Sequence, residues 1–554
     1  MDTGTMTADL TRIVRLWRGR AWWLAAGVLV SLLALACGVA LMAVAGATLA
    51  SLALFAPLIL RVLGVFRVMS RYGERMLTHS AMFRALADTR VWLFRKLAAN
   101  SAGGLGFRQA GDVLSRIVND VEALDGIYLR VLVPVAGAVF LLPVAVIVIA
   151  RSGHGAGWHG YAGLPLALAV GLWFVLAAFL LPWVATWSAA QAGTSLAEAM
   201  GQLRIAVLDT MTGWREVRAF GAEGRMLAAI QAREASLLNA QHTLASRTAL
   251  AGAGALLCAQ AALFAVLCAV GTQPEAAIIA AFLVLATFEA IGGLPKAGAY
   301  LGHAAAAAHR VLEAADAPVP VPDPAVPADP PAGSRLGFDA VHFQWRPDLP
   351  KVFDGLTMDI APGTRVAVLG PSGAGKSTLA ALLLKVAAPQ SGRVLLGRTD
   401  IATLTGAAMR SRVAWLSQTT HLFDDTIRAN LRLARPEADD AALWAALDAA
   451  RIGDVARALP DGLDTWVGEG GARFSGGQGR RLALARALLS PAPILILDEP
   501  CAGLDAETER AFLATLNEVA EGRTIILIAH RLVGVEKLDR IYRLSAGKAV
   551  AAAG

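Results

Sequence analysis

The stretch RVAVLGPSGAGKST, at residues 365–378, decides the fold of the C-terminal part of this chain. It contains an apolar strand, a glycine-rich loop and the start of an apolar helix. These elements in this order predict a phosphate-binding loop, because glycines let backbone N–H groups turn toward phosphate oxygens at a helix N-terminus. Lys376 can neutralise the β- and γ-phosphates, and Ser377, with Thr378 beside it, can ligate Mg²⁺. The stretch therefore predicts a P-loop α/β domain that binds a nucleotide.

Two further motifs lie downstream of this loop. The sequence FSGGQ occupies residues 474–478, and the apolar run 494–497 ends in Asp498 and Glu499. Asp498 suits the Mg²⁺ shell, and Glu499 suits a general base that polarises the attacking water. Two acids at a strand end are common in α/β folds, but their position after the FSGGQ motif favours the catalytic interpretation. Together the motifs resemble those of ATP-binding-cassette (ABC) ATPases, whose Ser-Gly-Gly segment contacts the ATP of a different nucleotide-binding domain.

The resemblance implies roles for four more residues. Gln418 follows the apolar strand Val413–Leu416 and fits the Q-loop, and His530 fits the switch histidine; both would contact the γ-phosphate side of the site. Asp505 ends a segment that matches the D-loop. Trp345 lies before the P-loop strand, where an aromatic side chain stacks on adenine. A packing role is the alternative for this tryptophan.

The predicted ATP site draws on residues from all of these motifs. The predicted catalytic residues are Glu499, His530 and Gln418. The predicted ATP-binding residues are Trp345, Gly370, Pro371, Ser372, Gly373, Ala374, Gly375, Lys376, Ser377 and Thr378. The residues predicted to reach the ATP of a partner are Ser475, Gly476, Gly477, Gln478 and Asp505. The predicted Mg²⁺ ligands are Ser377, Gln418 and Asp498.

The composition indicates a membrane protein. The chain has 554 residues, of which 56% are hydrophobic and 17% are charged, and its mean hydropathy is +0.54. A soluble protein carries more charge, so the long uncharged runs argue against a non-transporting ABC ATPase. The net charge of +7 comes from basic residues beside apolar runs, as in cytoplasmic membrane flanks rather than nucleic-acid-binding surfaces. The four cysteines show neither metal-ligand spacing nor a disulfide framework.

Uncharged runs predict six membrane passes. Residues 21–60 suit two passes joined by a short outer turn, because one pass needs about 20 residues. The other passes are predicted at 131–150, 164–187, 248–274 and 276–291. The long connections are charged and the short ones are not, which predicts that both termini and the ABC domain are cytoplasmic. The predicted domains are a six-helix transmembrane domain with long cytoplasmic extensions at 1–312, a Pro-rich linker at 313–334 and an ABC nucleotide-binding domain at 335–554.

Six passes followed by one cassette resemble the type IV, or exporter-fold, ABC half-transporters. The segment RYGERMLTH at 71–79, followed by Phe83 and Arg84, is similar to the corresponding segment of the CydC family, although Phe474 stands where the signature usually has leucine. This resemblance implies an ATPase that uses ATP and Mg²⁺, a CydD-like half-transporter as heterodimer partner, and a bacterial inner-membrane location. It also implies transport of haem or of the thiol reductants cysteine and glutathione, in support of cytochrome bd assembly. A homodimeric lipid or drug exporter of the same fold is the alternative.

A basic stripe on the second predicted helix offers a ligand site. Arg67, Arg71, Arg75 and His79 are spaced by four, so they share one helical face. Charges on a helix that continues from a membrane pass are costly unless they are paired, and an anionic ligand would relieve that cost. With the resemblance, the stripe predicts a haem b site in which Arg71 and Arg75 bind propionates and His79 is an axial ligand.

Nearby acidic residues leave other interpretations of the stripe open. Glu74 could neutralise Arg71 or Arg75, and the stripe could lie in a cytoplasmic extension of the helix. Glu289, in the sixth predicted pass, is a second intramembrane charge. It either pairs with one of the arginines or marks the point where its helix turns toward solvent.

Overall fold

The computed structural model describes residues 3–51, 56–101, 114, 116–155, 163–270, 274–501, 506–519, 522–534 and 536–552. The chain divides into two compact units, and the principal boundary falls between Ala317 and Pro318. The unit before this boundary is helical, and the unit after it contains both strands and helices.

The helical unit consists mainly of long helices. Its numbered helices are α1 (Thr3–Leu16), α2 (Ala21–Ser51), α3 (Ala56–Ser101), α4 (Val133–Gly155), α5 (Gly163–Val175), α6 (Leu181–Thr212), α7 (Trp214–Ala219), α8 (Glu223–Val270), α9 (Pro274–Ile291) and α10 (Leu294–Ala315). Short π-helical segments at Arg116–Asp120, Ile127–Leu132 and Leu176–Leu180 join or precede some of them. The last segment makes α5 and α6 one nearly continuous helical rod, because it follows α5 directly and leads directly into α6.

The first two long helices differ from the sequence prediction. Helix α2 takes all of 21–51, and α3 starts at Ala56 and runs as one helix to Ser101. The prediction that two passes fit within residues 21–60 is therefore wrong. The physical reason is that α3 remains at the level of the membrane beyond Leu60, although charged residues follow that position. Ser31 of α2 donates a hydrogen bond of 3.0 Å to Glu74 of α3, so the charged segment of α3 lies beside the uncharged interior of α2.

Five helical stretches among the described residues are long and apolar enough to cross a membrane. They are Gly4–Ala50, Arg116–Ala150, Leu164–Thr186, Glu223–Ala269 and Ala277–Gly298. They include the first predicted pass and the last four. Helix α3, the predicted second pass, is not among these five stretches, because Arg61, Arg67 and Arg71 interrupt its apolar sequence.

Close helix packing positions α6, α8, α9 and α10. Gly298 of α10 faces α6, where a Cβ atom would lie only 2.3 Å from the carbonyl oxygen of Pro182, so a glycine is needed at this crossing. Buried apolar side chains such as Leu141 and Leu283 fill the space between the helices. Phe174 meets Phe288 edge to face at a centroid distance of 5.6 Å.

The second unit contains two sheets. Its strands are β1 (Leu336–Phe343), β2 (Phe353–Ile360), β3 (Arg365–Leu369), β4 (Ser391–Leu396), β5 (Thr399–Asp400), β6 (Val413–Leu416), β7 (Ile494–Asp498), β8 (Thr524–Ala529), β9 (Arg540–Ser545) and β10 (Lys548–Ala552). Its helices are α11 (Lys376–Leu383), α12 (Gly406–Ser411), α13 (Ile427–Arg432), α14 (Asp440–Ala449), α15 (Gly453–Arg457), α16 (Gly476–Leu489) and α17 (Ala506–Val519). The smaller sheet has the order β2-β1-β4-β5, and the larger has the order β10-β9-β3-β8-β7-β6.

The parallel core of the larger sheet decides where the functional motifs meet. Strand β8 lies between β3 and β7 and is parallel to both, and β6 is parallel to β7. Strand β7 is buried along its whole length, as its unbroken apolar sequence predicts. Because the carboxyl ends of parallel strands share one edge, the segments that follow β3, β6, β7 and β8 converge there.

The Pro-rich segment at the start of the second unit has neither helix nor strand between Pro318 and Gly333. It nevertheless lies on the second unit. Ala328 donates a backbone hydrogen bond of 2.9 Å to Thr403, and the Asp323 carboxylate accepts one of 2.7 Å from the backbone of Gly406. The buried ammonium of Lys385 lies 3.8 Å from the same carboxylate. The extended segment is therefore attached to the surface of the α/β unit.

Candidate functional site

The glycine-rich loop has the backbone geometry that phosphate binding needs. It connects β3 to α11, and Gly373 and Gly375 take left-handed conformations with φ of 80° and 97°. A Cβ atom at Gly375 would lie 2.7 Å from Val352 and 2.8 Å from the Phe353 ring, so the position also has no room for a side chain. The loop therefore brings its backbone N–H groups to the N-terminus of α11 without side chains in the way.

Two polar side chains at the start of α11 have protein partners. The Lys376 ammonium donates to the carbonyl oxygens of Gly370 at 2.8 Å and of Pro371 at 3.0 Å. Ser377 donates a hydrogen bond of 3.2 Å to the carboxylate of Asp498, which is buried at the end of β7. Burial raises the pKa of Asp498, and the bond from Ser377 opposes that shift. A hydroxyl and a carboxylate in contact are a suitable pair of oxygen ligands for Mg²⁺.

Glu499 lies at the centre of the sheet edge formed by the carboxyl ends of the parallel strands. Its backbone has φ of 48°, an uncommon value for a residue with a side chain, and its N–H donates to the carbonyl of Ile528 at 2.8 Å. One carboxylate oxygen lies 2.7 Å from Nε2 of His530, and the other accepts a 3.2 Å hydrogen bond from Gln418. The segments after β6, β7 and β8 therefore hold one carboxylate between two polar side chains.

Trp345 is the aromatic residue nearest to the loop. Its indole N–H donates to the Thr378 hydroxyl at 3.2 Å, and its ring meets Phe343 edge to face at 5.0 Å. Trp345 is partly exposed, so part of the indole is accessible to a base.

A cavity of about 290 Å³ connects these groups. Its lining includes predicted residues from each strand-end segment, and it consists of Trp345, Val352, Ser372, Gly373, Gly375, Lys376, Ser377, Thr378, Gln418, Glu499 and His530. The fold thus brings the predicted catalytic residues and most of the predicted ATP-binding residues to one site.

Arg480 belongs to the same site, although the sequence did not suggest it. Its buried guanidinium donates to the carbonyl of Gln418 at 2.7 Å, of Asp498 at 2.7 Å and of Pro500 at 3.2 Å, and it also contacts the carbonyl of Glu499. Burial lowers the pKa of this arginine, while the neighbouring carboxylates oppose the shift. The side chain fixes the backbone on both sides of Glu499. Its place two residues after the FSGGQ motif was the only available signal.

The FSGGQ motif forms the exposed beginning of α16. The Ser475 hydroxyl accepts a hydrogen bond from the backbone of Gln478 at 3.3 Å, and the Gln478 side chain accepts one from the backbone of Ser475 at 2.9 Å. This reciprocal pair is a capping box. Open space lies around Gly476, so the backbone N–H groups at this helix start are accessible to another molecule. The motif is not part of the described lining of the 290 Å³ cavity. Asp505 lies outside the described residues.

A second cavity, of about 500 Å³, lies in the helical unit between α2, α3 and α9. Its lining residues include Arg67, Arg71, Arg75 and Glu289. The guanidinium of Arg67 packs beside Gly38, in the uncharged interior of α2. Three arginines and one glutamate therefore surround a cavity at the level of an apolar helix.

The charges around this cavity are only loosely paired. Arg67 and Glu289 approach to 4.0 Å, and Arg71 and Glu74 to 3.7 Å. Both separations exceed a hydrogen bond. The side chains of Arg71 and Glu289 remain 70% and 69% exposed. Glu289 thus lies near one of the arginines, as one of the two interpretations predicts.

His79 lies one turn beyond Arg75 and outside the described lining of the cavity. Its Nδ1 is 3.0 Å from the carbonyl of Arg75, which indicates that Nδ1 carries the proton. Among the described contacts of this ring, Nε2 has no hydrogen-bond partner. The ring also meets Phe83 edge to face at 6.1 Å. Nε2 is therefore the ring nitrogen that remains for a ligand.

The chain is similar to known proteins over almost its whole length. A family model described as "ABC transporter" matches residues 353–502. The glutathione/L-cysteine transport system ATP-binding/permease protein CydC of Escherichia coli (strain K12) is 33% identical, over 97% of this chain and 95% of that protein. The corresponding CydD protein of Bacillus subtilis (strain 168) is 31% identical, over 90% of this chain and 86% of that protein.

A solved structure supports the same architecture. The structure of a bacterial Atm1-family ABC exporter with ATP bound matches with a TM-score of 0.84 and 26% identity. The match covers 96% of this chain and 95% of that one. The combination of apolar helices and a nucleotide-binding unit is therefore the exporter arrangement that the sequence predicted.

Proposed function

Because this chain belongs to the CydC family of ABC transporters, we propose that it is one subunit of a heterodimeric transporter that moves a carboxylate-bearing thiol across the bacterial inner membrane. The proposed partner is a CydD-like half-transporter, and the proposed cargo is glutathione or L-cysteine, carried in support of cytochrome bd assembly. Hydrolysis of ATP drives the transport. The match to the ABC transporter family model and the similarity to CydC confirm the resemblance seen in the sequence.

The observation that carries the cargo proposal is the set of arginines around the 500 Å³ cavity. Guanidinium groups beside an apolar helix are costly unless an opposite charge compensates them. Two carboxylates, Glu289 near Arg67 and Glu74 near Arg71, cannot neutralise three guanidiniums. A cargo with one or more carboxylates would supply the missing charge and bind by charge-assisted hydrogen bonds.

The ATP site supports a hydrolytic cycle. ATP would draw Lys376 from its loop carbonyls to the phosphates, and Mg²⁺ would bind between Ser377 and Asp498. Glu499 would then leave His530 and Gln418 and polarise the attacking water, while the histidine turns to the γ-phosphate. Arg480 would hold the backbone around the acid pair during this exchange.

The exposed signature explains why a partner is proposed. Ser475, Gly476 and Gly477 lie at an accessible helix start, which suits contact with a phosphate held by another chain. Two cassettes related head to tail would each complete the other's ATP site. We place both termini and the cassettes in the cytoplasm, where ATP is available, on the charge asymmetry of the connections.

Haem is a second candidate cargo, and a specific observation favours it. Nδ1 of His79 lies 3.0 Å from the carbonyl of Arg75, which leaves Nε2 to bind iron, and Arg71 and Arg75 lie on the same helical face. These residues fit an iron porphyrin with two propionates. If haem binds, a purified complex will show a Soret band that His79→Ala shifts or weakens. An unchanged band in this variant would exclude His79 as the ligand.

Inside-out membrane vesicles test the main proposal. Vesicles that contain this chain and a CydD-like partner encoded beside it should take up radiolabelled glutathione or cysteine only with ATP and Mg²⁺. Vesicles with this chain alone are the control and should take up neither. A stable, fully active homodimer of this chain would favour the lipid or drug exporter, and its uptake of a fluorescent lipid instead of a thiol would establish that alternative.

A further inference from the structure

We infer that Glu289 binds the ammonium group of the cargo, so that the 500 Å³ cavity selects thiols that carry both an α-ammonium and a carboxylate. This inference rests on the proposed thiol transport and adds the chemical basis of its selectivity. The arginines alone would accept any small organic anion. A carboxylate within the same cavity would restrict the cargo to zwitterions.

The first argument is the position of the glutamate among the cavity charges. Glu289 reaches within 4.0 Å of Arg67, which is close enough for attraction but too far for a hydrogen bond. Its side chain is 69% exposed, while Arg67 is 36% exposed. Both groups therefore keep hydrogen-bonding capacity for a ligand that places a cation beside one and an anion beside the other.

The second argument is the interruption of the helix next to Glu289. Helix α9 ends at Ile291 and α10 begins at Leu294, so Gly292 and Gly293 separate two helices within Ala277–Gly298, a stretch long and apolar enough to cross a membrane. The Gly292 N–H bonds back to the carbonyl of Glu289 at 3.2 Å. The C-terminal end of an 18-residue helix has unpaired carbonyls and a partial negative charge, which favour a cation at this point. Discontinuous helices bind charged cargo in other transporters for the same reason.

The third argument is the environment on the other side of the side chain. Glu289 also borders a cavity of about 360 Å³ between α8 and α9. In the described lining of that cavity, Gln260 is the only other residue with a polar side chain. That side therefore provides no cation to neutralise the glutamate, and it is apolar enough to accept the uncharged part of a cargo molecule.

The three arguments define the ligand by its charges. An α-amino acid or γ-glutamyl thiol offers an ammonium to Glu289 and carboxylates to Arg67 and Arg71. Haem offers carboxylates without an ammonium, and an N-acetylated thiol has lost the ammonium but keeps its carboxylate and thiol, with one added acetyl group. The N-acetylated thiol is therefore the probe that separates the two kinds of selectivity.

The experiment measures uptake of L-cysteine and of N-acetyl-L-cysteine by vesicles that contain the full heterodimer. The wild-type complex should prefer cysteine by about tenfold, the value expected for one hydrogen bond between charged groups. Glu289→Gln should remove this preference by lowering cysteine uptake, with acetylcysteine uptake unchanged or raised because Arg67 loses its neighbour. Glu289→Asp should keep part of the preference, since it keeps the charge.

Glu313→Gln is the matched control, because Glu313 also pairs loosely with an arginine, Arg116 at 3.6 Å, but does not line the cavity. It should leave the preference unchanged. Equal uptake of both thiols by the wild type, or an unchanged preference in Glu289→Gln, would overturn the inference and leave thiol transport intact. If the Glu289→Gln complex does not assemble, the ratio of cysteine uptake to acetylcysteine uptake by Glu289→Asp tests the inference instead. Absence of thiol uptake by an ATP-hydrolysing wild-type complex would overturn both proposals.

Discussion

Charged groups at the cassette site have close protein partners, whereas those around the membrane cavity are mostly exposed. Lys376 bonds two loop carbonyls, and Glu499 lies between His530 and Gln418. In the cavity, by contrast, Arg71 and Glu289 expose 70% and 69% of their side chains. The charged groups of the cassette site have hydrogen-bond partners without a ligand, whereas those of the cavity lack close partners among the described residues.

This difference indicates how each site responds to its ligand. ATP must replace existing contacts, so its binding can be coupled to movement of the Gln418 and His530 segments. The cavity gains partners without losing any, so cargo binding is driven by charge compensation. Substitutions in the two regions should consequently separate catalysis from transport.

Loss of the general base should have the largest effect. Glu499→Gln keeps the shape and the contact with Gln418 but removes the charge that polarises water. Hydrolysis at the site carrying it should fall by at least about 100-fold, while ATP binding persists. The measurement is phosphate release together with fluorescent-nucleotide binding. Full turnover by the variant complex would show that the partner's site carries the activity.

Loss of the loop lysine should weaken nucleotide binding. Lys376→Ala removes charge-assisted bonds to the phosphates, so the Kd for ATP should rise by about 10- to 100-fold. Lys351→Ala, which removes an exposed lysine paired with Asp354, is the matched control and should bind ATP as wild type does. Equal losses in both variants would contradict the assigned role.

A cavity arginine should affect cargo rather than ATP. Arg71→Ala should lower thiol uptake by about tenfold, because one charge-assisted bond is lost, and leave cargo-free ATP hydrolysis unchanged. Arg95→Ala, on the same helix α3 but outside the described cavity lining, should change neither. A fall in cargo-free ATP hydrolysis with Arg71→Ala would contradict the separate roles of the cavity in cargo binding and of the cassette in catalysis.

The smallest effect should come from pH. Burial raises the pKa of Asp498, and only its carboxylate form binds Mg²⁺ well. The Mg²⁺ affinity should therefore weaken as pH falls, starting at a higher pH than for an ordinary aspartate. Titration of Mg²⁺ into the ATP complex over about pH 5 to 8 measures this. Asp498→Asn should lower the affinity and remove most of its pH dependence.

The two regions also differ in what the sequence could predict. Each motif that lines the ATP cavity is contiguous and follows a strand, and parallel strands bring their carboxyl ends together, so residues such as Glu499 and His530 could be named in advance. Arg480 could not, because its partners come from separate segments that only the folded sheet unites. The cavity depends on helix pairing, which spacing alone does not fix.

The end of the second predicted pass shows the same limit. The charges from Arg61 onward suggested that α3 leaves the membrane early, but the contact between Ser31 and Glu74 places them beside α2. A cavity accommodates charges that lipid would exclude. The arginine spacing indicated that these side chains share one helical face. The packing of α3 against α2 and α9 then forms the cavity at that face.

The ratio of thiol molecules transported to ATP molecules hydrolysed tests the central claim most directly. It should be measured in proteoliposomes with the wild-type heterodimer, Glu499→Gln and Arg71→Ala. We expect Glu499→Gln to lower both rates together and Arg71→Ala to lower transport while cargo-free hydrolysis persists, so that the ratio falls by about tenfold. An unchanged ratio in Arg71→Ala, with thiol uptake intact, would contradict the claim that this cavity carries the cargo.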